Sequence, residues 1–102
     1  MTILDNPIIQ TTFVADSDIE SIFDYLAQRN LDAARHVVRD IGDNIEKLGH
    51  FPTIGPARPE LADGLRFFPV GNHLVFYIEI PGGIIVQRVL HSSLDIVPEM
   101  FW

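Results

Sequence analysis

The sequence predicts an α+β protein: an N-terminal strand, then an antiparallel helical hairpin packed on an antiparallel β-sheet, in the order β-α-α-β-β-β. Three observations predict it. Two successive runs in the first half place apolar residues at helical spacing. The stretch Gly64–Asp95 holds the highest density of β-branched and aromatic residues in the chain. Within that stretch, Gly71-Asn72 and Pro81-Gly82-Gly83 are hairpin signals that cut it into three strands.

Ile8 to Val14, IIQTTFV, reads as a strand, with Ile9, Thr11 and Phe13 on one side and Gln10 and Thr12 on the other. In ADSDIESIFDYLAQRN, Ile19, Ile22, Phe23 and Leu26 recur at i, i+3, i+4 and i+7, one face of a helix that must be buried. Ser17 and Glu20 fit a capping box at its start, where Asp16 and Asp18 favour the positive end of the dipole. Asn30 caps a second helix from Leu31 to about Leu48, whose stripe is Ala34, Val37, Val38, Ile41, Ile45 and Leu48, and Gly49 stops it. The short link between the helices favours an antiparallel hairpin. Gly42, on the flank of the stripe, suits close approach of another backbone. His50 to Asp63 carries three of the seven prolines and reads as a connector.

The 102 residues make one domain, 1–102, with 47% hydrophobic and 21% charged residues, ordinary values for a globular chain. With no cysteine, disulfides, thiolate zinc sites and thiol nucleophiles are excluded. The start, MTILDNPIIQTTF, resembles neither a signal peptide nor a membrane span, so a cytoplasmic protein is expected. The net charge of −7 sits mainly on the helical half, since residues 1–48 carry nine acids and four bases. Such a surface repels phosphate backbones, and direct nucleic-acid binding is not expected. His36, His50, His73 and His91 show no HxH or HExxH spacing, and no phosphate loop, GxGxxG or GxSxG occurs. Neither metal nor cofactor is expected.

Taking the turns at face value pairs Val70 with His73, Arg66 with Tyr77, Ile80 with Ile84 and Tyr77 with Gln87. One face then carries Leu65, Phe67, Leu74, Phe76, Ile78, Ile80, Ile84, Val86 and Leu90, with Arg88 among them, and is the natural seat of the helices. The other carries Arg66, Tyr77 and Gln87 in one row, with His73 and His91, and is the candidate working surface; a bulge would move Arg88 into that row. Arg66, Tyr77, Arg88 and His91 could form an RNA-cleaving cluster of acid, base and cations. They could equally be ordinary strand residues or partner contacts, and the acidity and single lysine favour the latter. Pro98 interrupts any helix in the tail, where Met100, Phe101 and Trp102 either pack on the protein's own sheet or meet a partner.

The run ELADGLRFFPVGNHLVFYIEIPGGIIVQRVLHSSLD resembles the RelE/ParE superfamily of toxins from bacterial type II toxin–antitoxin systems, specifically the ParE branch. That branch shows a pattern close to EL..GLRSFPVGNYLIFY and a strand ending RVLHGARD. ADSDIESIFDYLAQRN and AARHVVRDI resemble its two helices, and Leu48 to Gly55 its L..FP..G connector. The resemblance implies that the first strand completes the sheet. It also implies a cognate small antitoxin, ParD-like, with a DNA-binding domain and an amphipathic tail that wraps the toxin, and it allows a homodimer within the toxin–antitoxin complex. ParE-type members poison DNA gyrase by binding, without a chemical step; RelE-type members cut mRNA on the ribosome. The first fits this composition better, so no catalytic residue is expected; in the second, Arg66, Tyr77, Arg88 and His91 would be catalytic. A third reading is a degenerate, non-toxic antitoxin-binding module. The expected partner contacts are Arg66, His73, Tyr77, Gln87, Arg88, His91, Asp95, Phe101 and Trp102. Leu94 and Ile78 stand where the family pattern has arginine.

Overall fold

A computed structural model describes residues 3–102. Strand β1 (Ile8–Thr11) leads into helix α1 (Phe13–Ala27) and helix α2 (Leu31–His50). A connector then brings the chain to β2 (Leu65–Val70), β3 (His73–Ile80) and β4 (Gly83–His91), and a 3-10 turn at Pro98–Phe101 ends it. The four strands form one sheet in the order β1-β4-β3-β2. β2, β3 and β4 are an antiparallel meander, while β1 adds beside β4 in parallel, so the sheet is mixed. The two hairpin turns are as expected from glycine: Gly71 takes φ +58° and Gly82 φ +82°.

The chain turns from strand to helix earlier than the apolar pattern suggests. Thr12, not Ser17, is the N-cap of α1, its hydroxyl accepting the Ala15 N–H at 3.0 Å and donating to the Gln87 carbonyl at 2.9 Å. Capping and strand anchoring meet in one side chain, which is why β1 ends at Thr11 and Phe13 lies on the helix, 87% exposed. Asn30 caps α2 as expected, accepting the Ala33 N–H at 3.0 Å. Gly49 does not stop α2, which runs on to His50; a Cβ there would lie 2.6 Å from the Ile9 side chain, so the glycine admits β1 against the helix. Gly42, by contrast, faces open space and serves no close approach.

Helices and sheet enclose a core of Ala15, Ile41, Ile45 and Leu48 against Val70, Val75, Tyr77, Ile84, Val86 and Val89. This corrects the expected assignment of faces: on β2 and β3 the helices cover the face that includes Phe68, Val70, Val75 and Tyr77. The opposite face carries Leu65, Phe76 and Leu90, and is closed by Leu61, Ala62, Ile96, Met100 and Phe101. Both faces are apolar and both are covered, so alternation alone could not tell which one the helices take.

The expected register holds for the first hairpin, Val70 with His73 and Arg66 with Tyr77. In the second it holds from His73↔His91 to Phe76↔Arg88, then slips by one residue to Tyr77↔Val86 and Ile80↔Gly83. Gln87 is the unpaired residue of this bulge. By absorbing one position, it puts Val86 and Val89 on the same face of β4.

A candidate binding cleft

β1 spans only the first part of β4, pairing Ile8–Thr11 with residues 83–86. Beyond it, α1 lies along the bare edge of β4 and replaces the missing strand with side chains. Thr12 satisfies the Gln87 carbonyl, and Asp18 Oδ2 accepts the Val89 N–H at 3.0 Å. The same carboxylate takes Arg88 in a two-pronged pair, Nε to Oδ2 at 2.8 Å and Nη2 to Oδ1 at 2.9 Å. Arg88 also donates from Nη1 to the Met100 carbonyl at 3.0 Å, so one guanidinium fastens α1, β4 and the C-terminal segment together. The carboxylate beside it holds the guanidinium even more firmly protonated than usual.

Where the helices leave the sheet, an open cleft of about 890 Å³ remains. α1 contributes Ile22, Tyr25 and Leu26 to one wall, and α2 His36, Val37 and Asp40 to the other. Its floor is the far end of the sheet, with Val70, His73, Val89 and His91, and Leu94 stands at the rim. The chemistry is that of a recognition surface, aliphatic side chains interleaved with polar and charged ones.

The expected site residues divide among four places. His73 and His91 lie together in the cleft, where they pair across the ladder with ring centroids 5.3 Å apart. Arg66 and Tyr77 share the helix-side face but sit at the other end of the sheet, under the connector. Tyr77 is fully buried; its hydroxyl donates to the Pro52 carbonyl at 2.8 Å and accepts the Gly55 N–H at 3.0 Å, and burial pushes the phenol up from its ordinary value. Arg66 Nη1 donates to the Gly55 carbonyl at 2.8 Å. Both hold the FPTIG turn. Gln87 is the bulge, and Arg88 is taken by Asp18.

In the tail, Asp95 is exposed, Phe101 packs on Phe76 with centroids 4.8 Å apart, and Trp102 stands 88% exposed. Arg66, Tyr77, Arg88 and His91 therefore do not converge on one surface. Tyr25, His36, Asp40 and the structural role of Asp18 were not legible in the sequence. The capping-box pattern at Ser17 makes Asp18 read as a dipole charge; the start at Phe13 moves it inward to face β4. Among the described residues no group of three or more histidine and carboxylate side chains could hold a metal ion.

The family model described as the ParE toxin of the type II toxin–antitoxin system parDE matches residues 9–96. Toxin ParE1 of Mycobacterium tuberculosis is 33% identical over 84 residues, covering 80% of this chain and 86% of its own length. Toxin ParE1 of Caulobacter vibrioides is 30% identical over 82 residues, covering 79% and 84%. Among solved structures, a chain of the chromosomal ParDE toxin–antitoxin system from P. aeruginosa superposes with a TM-score of 0.74 at 19% identity, over 86% of this chain and 98% of that one. At that identity the superposition speaks to the fold.

Proposed function

Because the chain belongs to the ParE toxin family of type II toxin–antitoxin systems, we propose that it inhibits DNA gyrase by protein–protein contact and is neutralised by a ParD-like antitoxin in the cytoplasm. The observation that carries the mode of action is the state of the residues a nuclease would need. The Tyr77 hydroxyl is buried and bonded on both sides, and the Arg88 guanidinium is paired with Asp18 and Met100. Neither an acid nor a cation in those positions can reach a scissile phosphate. A charge of −7 further opposes docking on ribosomal RNA.

An amphipathic antitoxin tail suits the cleft, whose Ile22, Leu26 and Val37 would take its apolar face. Acidic side chains on the helices, Asp40 among them, would attract basic residues on its flank. The exposed part of the C-terminal segment, above all Trp102, is the proposed gyrase contact.

Purified protein should block supercoiling by gyrase, and an equimolar antitoxin should restore it. Gyrase that supercoils at full rate under saturating protein would overturn the proposed target. Cleavage of mRNA in a translating extract would return the nuclease reading.

A further inference from the structure

His73 and His91 face each other across β3 and β4 with their rings edge to face. His73 is 9% exposed. His91 is tied to the turn that follows it: Nδ1 accepts the Ser93 N–H at 3.1 Å and lies 2.7 Å from Ser93 Oγ. A backbone N–H can only donate. Nδ1 is therefore the bare nitrogen of a neutral ring whose hydrogen sits on Nε2. The turn held in this way carries Leu94 to the rim of the cleft.

We propose that the His73–His91 pair is an acid-released latch on the cleft, closed while both imidazoles are neutral and opened when they take up protons. A proton on His91 Nδ1 turns the acceptor into a donor, which sets it against the Ser93 N–H, breaks that backbone bond and loosens the turn, leaving only the Ser93 Oγ to accept from the ring. A proton on His73 then places a like charge directly across the ladder, where opposed charges of one sign are unfavourable.

The surroundings do not offset this. From α1 the cleft receives Asp18 and Tyr25, from α2 His36 and Asp40, and from β4 Arg88; the Gly71-Asn72 turn brings no charge. Asp18 is already committed to Arg88 and the Val89 N–H. Asp40 lies on the exposed side of α2, where it accepts from Asn44. Arg88 and Asp18 neutralise each other as an ion pair, which leaves the two rings facing one another. Burial first, and His91 second, hold the His73 imidazole below its ordinary value. A group whose value falls on folding stabilises the fold fully above its unfolded value, about pH 6.5 for histidine, and that contribution is lost as the pH drops below it.

The test is an NMR titration of the full chain from pH 8 to pH 5, following the imidazole carbons and the Ser93 amide in the wild type and in His91→Gln. His73 should titrate below its midpoint in the urea-denatured chain, the Ser93 amide should shift in step with His91, and His91→Gln should raise the His73 midpoint. A His73 midpoint equal to the denatured one, a Ser93 amide blind to His91, or an unmoved midpoint in the variant would each overturn the latch. If His91→Gln does not fold, the first two readings on the wild type decide.

Discussion

Tyr77 shows how a residue can look functional and be structural. The simple register sets it in a polar row with Arg66 and Gln87, yet the hydroxyl is the bolt of the connector, joined to Pro52 and Gly55. Tyr77→Phe should leave a buried N–H and a carbonyl without partners and cost about 1–3 kcal/mol in urea unfolding. The same bonds set an alkaline limit. Because the phenol is raised in the fold, the unfolded chain ionises first, and stability should fall as the pH climbs past about 10. The Tyr77→Phe variant should lack that component of the alkaline loss, and an unchanged alkaline profile would count against it. Nothing in the sequence distinguishes a tyrosine that presents its hydroxyl to a partner from one that bonds a turn 22 residues away. The register that made the row visible was correct on β2 and β3; the direction of burial was not encoded in it.

At the scale of elements, the sequence is most legible where its signals are local. Asn30, the α2 stripe and both glycine turns stand as expected. It is least legible where an element depends on a distant one: Thr12 caps α1 because Gln87 fixes its other bond, and the bulge at Gln87 exists only through the pairing with β3. The glycines make the same distinction. Gly83 allows β1 to lie on β4, since a Cβ there would sit 1.8 Å from the Ile8 carbonyl oxygen, whereas Gly42 faces solvent. Gly83→Ala should therefore detach β1, costing roughly 2–3 kcal/mol or more and opening the amides of Ile8–Thr11 to hydrogen exchange. Gly42→Ala should raise stability by up to about 1 kcal/mol. Equal behaviour of the two variants would refute the assignment.

For the whole molecule, the decisive feature is a sheet covered on both sides, by two helices on one face and by the connector and C-terminal segment on the other. A sheet with one wet face announces its core by alternation; this one has apolar residues buried on both faces and withholds it. The tail is thus part of the fold as well as a candidate contact. Deleting residues 96–102 should bare Phe76 and Leu90, free one arm of Arg88, and lower stability by about 3–5 kcal/mol. An apolar dye should report the exposed surface, and an unchanged unfolding midpoint with no dye binding would show that the segment covers nothing essential. The parallel pairing of β1 with β4 also imposes an order in time. A ribosome delivers Ile8–Thr11 long before their partners 83–86, and closing so long a loop is a slow step in folding. Until β4 emerges, the nascent chain holds β1 without its neighbour and two helices with only the β2–β3 part of their floor. During synthesis, that interval is when chaperones or another extended segment can reach surfaces the finished protein conceals.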